Sequence, residues 1–186
     1  MDLSRYDALR HDSGANFLTR ILWYMINPMV FNTWLFPFYG FKRLILKVFG
    51  AKIGIGVVIK PRVNIKYPWR LSIGAYSWVG EGVWIDSIGM VHIGSHCCIS
   101  QGAYLCTGNH DWSDPCFGLK IEPIIINDHA WVGAFSIICP GACISTGAVI
   151  TAGSVITNNT VPWTIYSGNP AVARQKREIS ETHKVP

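Results

Sequence analysis

From residue 53 onward an aliphatic residue returns every six positions along the chain. Ile53, Ile59 and Ile65 open the series, Ile73, Val79 and Ile85 continue it, and Ile93, Ile99 and Leu105 form a third set. After an interruption come Ile126, Val132 and Ile138, then Ile144, Ile150 and Ile156. Four places beyond each, eleven of the fifteen positions hold Ser, Thr, Ala or Val, and Cys97 is also small. Six is neither a helical period nor strand alternation. It suits one short strand plus one turn, with the aliphatic side chain and the small corner residue both turned inward. Three such units close a triangular coil, and stacked coils pair equivalent strands in parallel and in register. The sets beginning at 53, 73 and 93 are twenty residues apart, which gives the first coils a two-residue corner bulge; those at 126 and 144 are eighteen apart. The pattern predicts an all-β solenoid over 53–171. A sandwich of short strands gives no reason for period six.

Two stretches leave the repeat. Residues 109–125, NHDWSDPCFGLKIEPII, predict a loop projecting from a corner, and loops of this length in compact domains are usually functional or disordered. Residues 1–52 form an apolar helical segment with twenty-one uncharged residues between Arg20 and Lys42. Asn27-Pro28, Asn32 and Pro37 cut it into pieces too short to span a bilayer as one helix. One or two short apolar helices followed by a basic amphipathic helix, FKRLILKVFG, are expected. This segment either caps the open end of the coil stack or makes peripheral membrane contact through residues 17–52, with Lys42, Arg43, Lys47 and Lys52 as the basic cluster. The remainder, 172–186, reads as a basic tail with a short helix.

Only 15% of the 186 residues are charged, which excludes intrinsic disorder. A net charge of +5 is too modest to argue for nucleic acid. Six cysteines are too sparse for a disulfide scaffold, and the N-terminus lacks the pattern of a secretory leader, so reduced thiols in the cytoplasm are expected. Cys97, Cys98, Cys106, Cys139 and Cys143 fall in the repeat as small fillers; Cys116, in the loop, has the best opening for reactivity. Among six histidines, His110 stands where the third coil ends and the loop begins. A neutral imidazole there can take a proton from an attacking hydroxyl. His92 and His96 lie in coil corners, His129 precedes a strand, and His11 and His183 are near the termini.

The period-six pattern, the NHDW loop and the run WVGAFSIICPGACISTGAVITAGSVIT ending in YSGNPA resemble the hexapeptide-repeat acyltransferases over 53–171. The apolar N-terminal segment leading into FGAKIGIGVVIKP is most similar to the colanic acid biosynthesis acetyltransferases of that family. The resemblance implies a left-handed parallel β-helix, a homotrimer, acetyl-CoA as co-substrate without a metal, and a saccharide or lipid-linked oligosaccharide as acceptor. It implies O-acetyl transfer in exopolysaccharide assembly, with His110 as base; the cysteines place such an enzyme in the cytoplasm, at the inner face of the membrane where the N-terminal segment contacts lipid rather than only capping the coil. It carries acetyl-CoA contacts onto Ala134 and Ala152. The Thr-Lys pair that follows the last strand in the family is Thr157-Asn158 here, so Arg174, Lys176 and Arg177 are candidates for the phosphates. The asparagine that the family places one coil before the histidine is missing, leaving Asp86 or Glu81 to orient the acceptor, Trp84 and Trp78 to stack on a sugar, and Asn109 and Asp111 beside the base. Transfer to another small acceptor, of serine or antibiotic type, and a non-catalytic scaffold stay open. A γ-type carbonic anhydrase would need closely spaced histidines where this chain has Gly-Ala-Phe135-Ser. A zinc site from His92, His96, Cys97 and Cys98 is disfavoured because positions four apart in a period-six strand differ in facing.

Overall fold

The computed structural model describes residues 2–6 and 12–179. Strands β1 (Lys52–Ile53), β2 (Val58–Ile59) and β3 (Asn64–Ile65) form the first coil, and β4 (Leu71–Ile73), β5 (Trp78–Val79) and β6 (Trp84–Asp86) the second. The third holds β7 (Val91–Ile93), β8 (Cys98–Ile99) and β9 (Tyr104–Cys106). A hairpin of β10 (Gly108–His110) and β11 (Leu119–Ile121) follows, and then the fourth coil, β12 (Ile124–Ile126), β13 (Trp131–Val132) and β14 (Ile137–Ile138). The fifth is β15 (Cys143–Ile144), β16 (Val149–Ile150) and β17 (Val155–Ile156). Strand β18 (Thr164–Gly168) adds one rung of a sixth, and β19 (Ala171–Lys176) folds back on it antiparallel.

Equivalent strands stack in parallel into three faces: A (β1-β4-β7-β12-β15), B (β2-β5-β8-β13-β16-β18) and C (β3-β6-β9-β14-β17). All fifteen aliphatic positions of the repeat are buried, as are the small residues four places on. Burying this ladder in every coil, at roughly 1.5–3 kcal/mol per large aliphatic side chain, drives the stack together. Corners between A and B carry Tyr76, His96, His129 and Trp163 at left-handed φ of 52–61°, a backbone cost that ring stacking offsets. His96 lies 5.5 Å from Tyr76 and 5.2 Å from His129, so its ring is sandwiched, while His92 projects from β7; the two do not converge.

Every insertion into the repeat falls on one edge, between faces C and A. There the chain makes a 3-10 turn at Pro68–Arg70, a tight turn at 87–90, and finally the hairpin. The projecting loop is therefore a paired element, with His110 opposite Leu119 across the ladder. The tail departs from expectation too: residues 171–176 are a strand rather than a helix, because β18 offers them a free edge, and 180–186 lie outside the described residues.

The N-terminal segment forms α1 (Phe17–Ile26), a wide turn at Asn27–Phe31, and α2 (Tyr39–Val48). It covers the end of the first coil. Trp23 donates to the Ile65 carbonyl at 2.8 Å, Asn27 pairs with Asn64, and Trp23, Phe31 and Leu46 join the core. The basic cluster is largely consumed here. Lys42 is fully buried with Nζ 3.4 and 3.2 Å from the Ile59 and Lys60 carbonyls, and Arg43 donates to Val57 O at 2.8 Å. Burial lowers the Lys42 pKa. Of the four expected surface cations only Lys47 and Lys52 are exposed.

Candidate active site

Three contacts hold His110, two from the hairpin loop and one from the N-terminal segment. Its Nδ1–H donates to the Phe117 carbonyl at 2.9 Å, since a carbonyl can only accept, and this fixes the tautomer. Phe117 stacks on the imidazole with centroids 4.2 Å apart and planes 5° from parallel, and Tyr6 approaches it at 5.6 Å. No described residue bonds Nε2, whose lone pair is left as the basic site. Phe117 itself sits at φ +52°, held there by its own N–H donating to Asp114 O at 2.9 Å. The Asp114 carboxylate also accepts from Cys116 N and Gly118 N.

Asn109 and Asp111 turn out to build this hairpin. Asn109 Oδ1 accepts from His110 N–H at 2.8 Å, and Asp111 pairs with Lys120 at 2.8 Å and with Ser113. The Lys120 ammonium and the Ser113 donors hold the Asp111 carboxyl well below the usual carboxylate range. Beneath lies Thr107, fully buried: its hydroxyl donates to Asp86 O and accepts from Gly89 N–H at 2.8 Å, and its carbonyl accepts from Glu122 N–H. Thr107 ties the base of the hairpin to the preceding coil, one residue beyond Cys106, which is in register with Asp86.

Asp86 is thus on the same edge as His110. The residue is buried, with Tyr104 OH 3.4 Å from Oδ2 and Lys66 Nζ 3.5 Å from Oδ1. Lys66 balances the charge, yet Oδ1 accepts no hydrogen bond from a described residue. Such an atom is satisfied when a hydroxyl reaches it. Burial first, then the neighbouring Cys106 thiol and the Asp86 carboxylate, raise the Tyr104 pKa, keeping its phenol a donor. Trp84 stacks on Tyr104 at 4.7 Å and remains 43% exposed. With Lys66 and Trp69 it lines a cavity of about 650 Å³ between α1 and face C, with Arg20 and Tyr24 on the other wall.

Other predicted residues lie elsewhere. Glu81 and Trp78 line a smaller groove of about 480 Å³ at the edge between faces B and C, away from His110. Ala134 and Ala152 stack on that same B–C edge, where Gly153 N–H donates to Ala134 O at 2.8 Å. Gly153, at φ +70°, has nothing within 4 Å of where a Cβ would stand, so a thin chain can lie against this backbone. Thr157 and Asn158 are exposed at the end of β17. Arg174 and Lys176 are exposed on β19, with Arg174 donating to Ser167 O. Arg177 is occupied: it donates to His129 O and Gly147 O at the A–B edge and stacks over Trp163.

Comparison with curated proteins decides the family. The chain is 36% identical over 180 residues to the protein named "Putative colanic acid biosynthesis acetyltransferase WcaF" of Escherichia coli, covering 97% of this chain and 99% of that one. It belongs to the hexapeptide-repeat acetyltransferases. Nodulation protein L of Rhizobium meliloti is 34% identical over 127 residues, 67% of this chain and 69% of that protein. Among solved structures, the hexapeptide-repeat acetyltransferase of Vibrio cholerae complexed with acetyl-CoA superposes with a TM-score of 0.80 at 19% identity, over 91% of this chain and 94% of that one. No protein-family model matches.

This acetyltransferase is a left-handed β-helix, as its fold neighbours are. Among its described residues, no group of three or more His, Cys, Asp or Glu is placed to hold a metal. Sequence reasoning missed Phe117, Thr107, Tyr104 and Lys66. The signal for Lys66 was available, because it stands twenty residues before Asp86 in the twenty-residue repeat. For Thr107 and Phe117 there was none.

Proposed function

We propose that this acetyltransferase moves an acetyl group from acetyl-CoA to a sugar hydroxyl in exopolysaccharide assembly, with His110 as general base and no acyl-enzyme. The observation that carries the reading is the Nδ1–H bond from His110 to the Phe117 carbonyl, which leaves Nε2 able to accept a proton. His110 takes the acceptor proton at Nε2 as the hydroxyl oxygen bonds to the acetyl carbon, and returns it to the departing thiolate sulfur. Asp86 accepts from the acceptor and aims it; the open Trp84 face suits a sugar ring. Ala134, Ala152 and Gly153 hold the pantetheine arm against their backbone, and Arg174 and Lys176 meet the phosphates. Acetyl-CoA supplies the activated acyl group. A sugar acceptor is supported by the name of the WcaF relative and by the fold neighbour described as galactoside acetyltransferase in complex with coenzyme A.

A homotrimer belongs to the same proposal. His110 and the Ala134–Ala152 track stand on different edges of the prism, and a threefold arrangement brings one copy's C–A edge against its neighbour's B–C edge. Trp78 and Trp131, half-exposed on face B, are the apolar surface such a contact buries. The six unpaired thiols suit a reducing compartment, the cytoplasm. The test is acetyl transfer to a panel of free and lipid-linked saccharides, by wild type, His110→Ala and Cys116→Ala. His110→Ala is expected to lose roughly two to four orders of magnitude in kcat, with Cys116→Ala within a few-fold of wild type. The reverse result, with trimers intact by light scattering, would replace direct transfer by a thiol acyl-enzyme.

A further inference from the structure

The helix α2 is apolar on two sides. Inward it buries Leu46 and Lys42 and packs Ile45 against the core, while Phe41, Leu44 and Val48 form a second stripe on the outer side. Their spacing of three and four residues is that of one helix face. A helix whose second apolar stripe faces away from its own core has a second partner to serve. The exposure continues across the whole segment: thirteen of the twenty-eight exposed large apolar side chains among the described residues lie between residues 17 and 48, among them Phe17, Met25, Trp34 and Leu35. Charge separates in the same place. Between residues 13 and 80 the chain carries nine Lys and Arg and no Asp or Glu, although the net charge of the whole is only +5. Arg20, Lys47, Lys52 and Arg62 of this set are exposed, while Lys66, exposed as well, is paired with Asp86.

We propose that this end of the prism docks on the surface of an anionic phospholipid leaflet, with the outer sides of α1 and α2 and the loop between them entering the headgroup boundary. An apolar and aromatic face flanked by uncompensated cations is what such a surface selects. A second copy is the poorer occupant, since two such faces brought together would place unrelieved like charges against each other. No helix among the described residues is long and apolar enough to cross a membrane. Each of α1 and α2 has ten residues, about 15 Å of helix against a hydrocarbon core of about 30 Å. The contact is therefore interfacial. It rests on apolar insertion first and on charge second, because Lys42 and Arg43 already bond the first coil.

The test is co-sedimentation of the full chain with phosphatidylcholine vesicles containing phosphatidylglycerol, and with phosphatidylcholine alone. Wild type is expected to sediment with the former, more weakly at high salt but not released by it. The triple variant Phe41→Ser/Leu44→Gln/Val48→Gln should lose roughly 100-fold in partitioning, and Lys47→Gln/Lys52→Gln a smaller factor. All three residues of the stripe are exposed, and circular dichroism with light scattering checks that fold and assembly are kept; Trp34→Ser/Leu35→Ser, in the loop, gives a second variant should α2 unfold. Failure of wild type to bind either vesicle, or equal binding by the stripe variants, overturns the proposal. So does growth of wild-type oligomers with concentration that the stripe variants abolish without any vesicle binding, which would assign the face to another copy. Acetyl transfer plays no part in the readout, so the outcome is independent of the catalytic proposal.

Discussion

Replacing Thr107 by Val tests whether the hairpin that carries the proposed base is positioned from below. The side chains have nearly the same shape, so the perturbation is the loss of one hydroxyl at a fully buried site. Two bonds go: the donation to Asp86 O, and the acceptance from Gly89 N–H at 2.8 Å. Asp86 O keeps the Ile88 N–H at 2.9 Å, so its loss is small. Gly89 N–H, buried, is left with no acceptor, and an orphaned donor costs about 1–3 kcal/mol. At about 2–4 °C per kcal/mol for a chain of this size, Tm should fall by about 2–12 °C. Catalysis should suffer separately, because displacing His110 by a fraction of an ångström costs on the order of 10- to 100-fold in kcat. The KM for acetyl-CoA should hold, its proposed contacts lying on the B–C edge and on β19. Steady-state kinetics well below the new Tm, with thermal unfolding on the same samples, separate the two effects. Thr107→Ser keeps the hydroxyl and should restore kcat. A valine variant that melts lower but turns over normally would show that Thr107 supports the coil without aiming the base.

Arg174→Ala should raise the KM for acetyl-CoA several-fold and leave Tm unchanged. Arg177→Ala should do the opposite, losing about 1–3 kcal/mol with its bonds to His129 O and Gly147 O while KM holds; inverted results would reassign the phosphate contact to Arg177. Burial pushes the Cys97 thiol up to about 11, against an ordinary value of 9.0. Between those values the unfolded chain has lost a proton that the folded chain retains, so stability should decline as pH rises from about 9 to about 11, and Cys97→Ala should flatten that part of the curve. A denaturant series across this range checks it, and native alkylation near pH 8 should spare Cys97.

The coil was legible because its information is local and repeated. Each six-residue unit states the same inward aliphatic and inward small residue, so one reading serves every coil and errors average away. The position of His110 was legible too, as the polar residue at the break in that repeat. Its partners were not. Thr107 reads as one more small residue of the repeat, and Phe117 as an apolar residue in a polar loop. Their roles arise from a carbonyl seven residues from His110, brought near by the hairpin, and from an N–H eighteen residues from Thr107, brought near only when the coils stack. Arg177 looked like a phosphate ligand until the return of β19 carried it to two corner carbonyls. Lys42 makes the point most sharply. By composition it belongs with Lys47 and Lys52 in a surface cluster, yet the first coil exposes strand-end carbonyls that need donors, and the ammonium turns inward to meet them. Sequence alone determined that the chain would wind into a prism with a histidine at one break in the repeat. Tertiary structure decided which edge became the site and which side of α2 faced out, because backbone groups left unpaired at the ends and corners of the stack choose their side-chain partners by position in space.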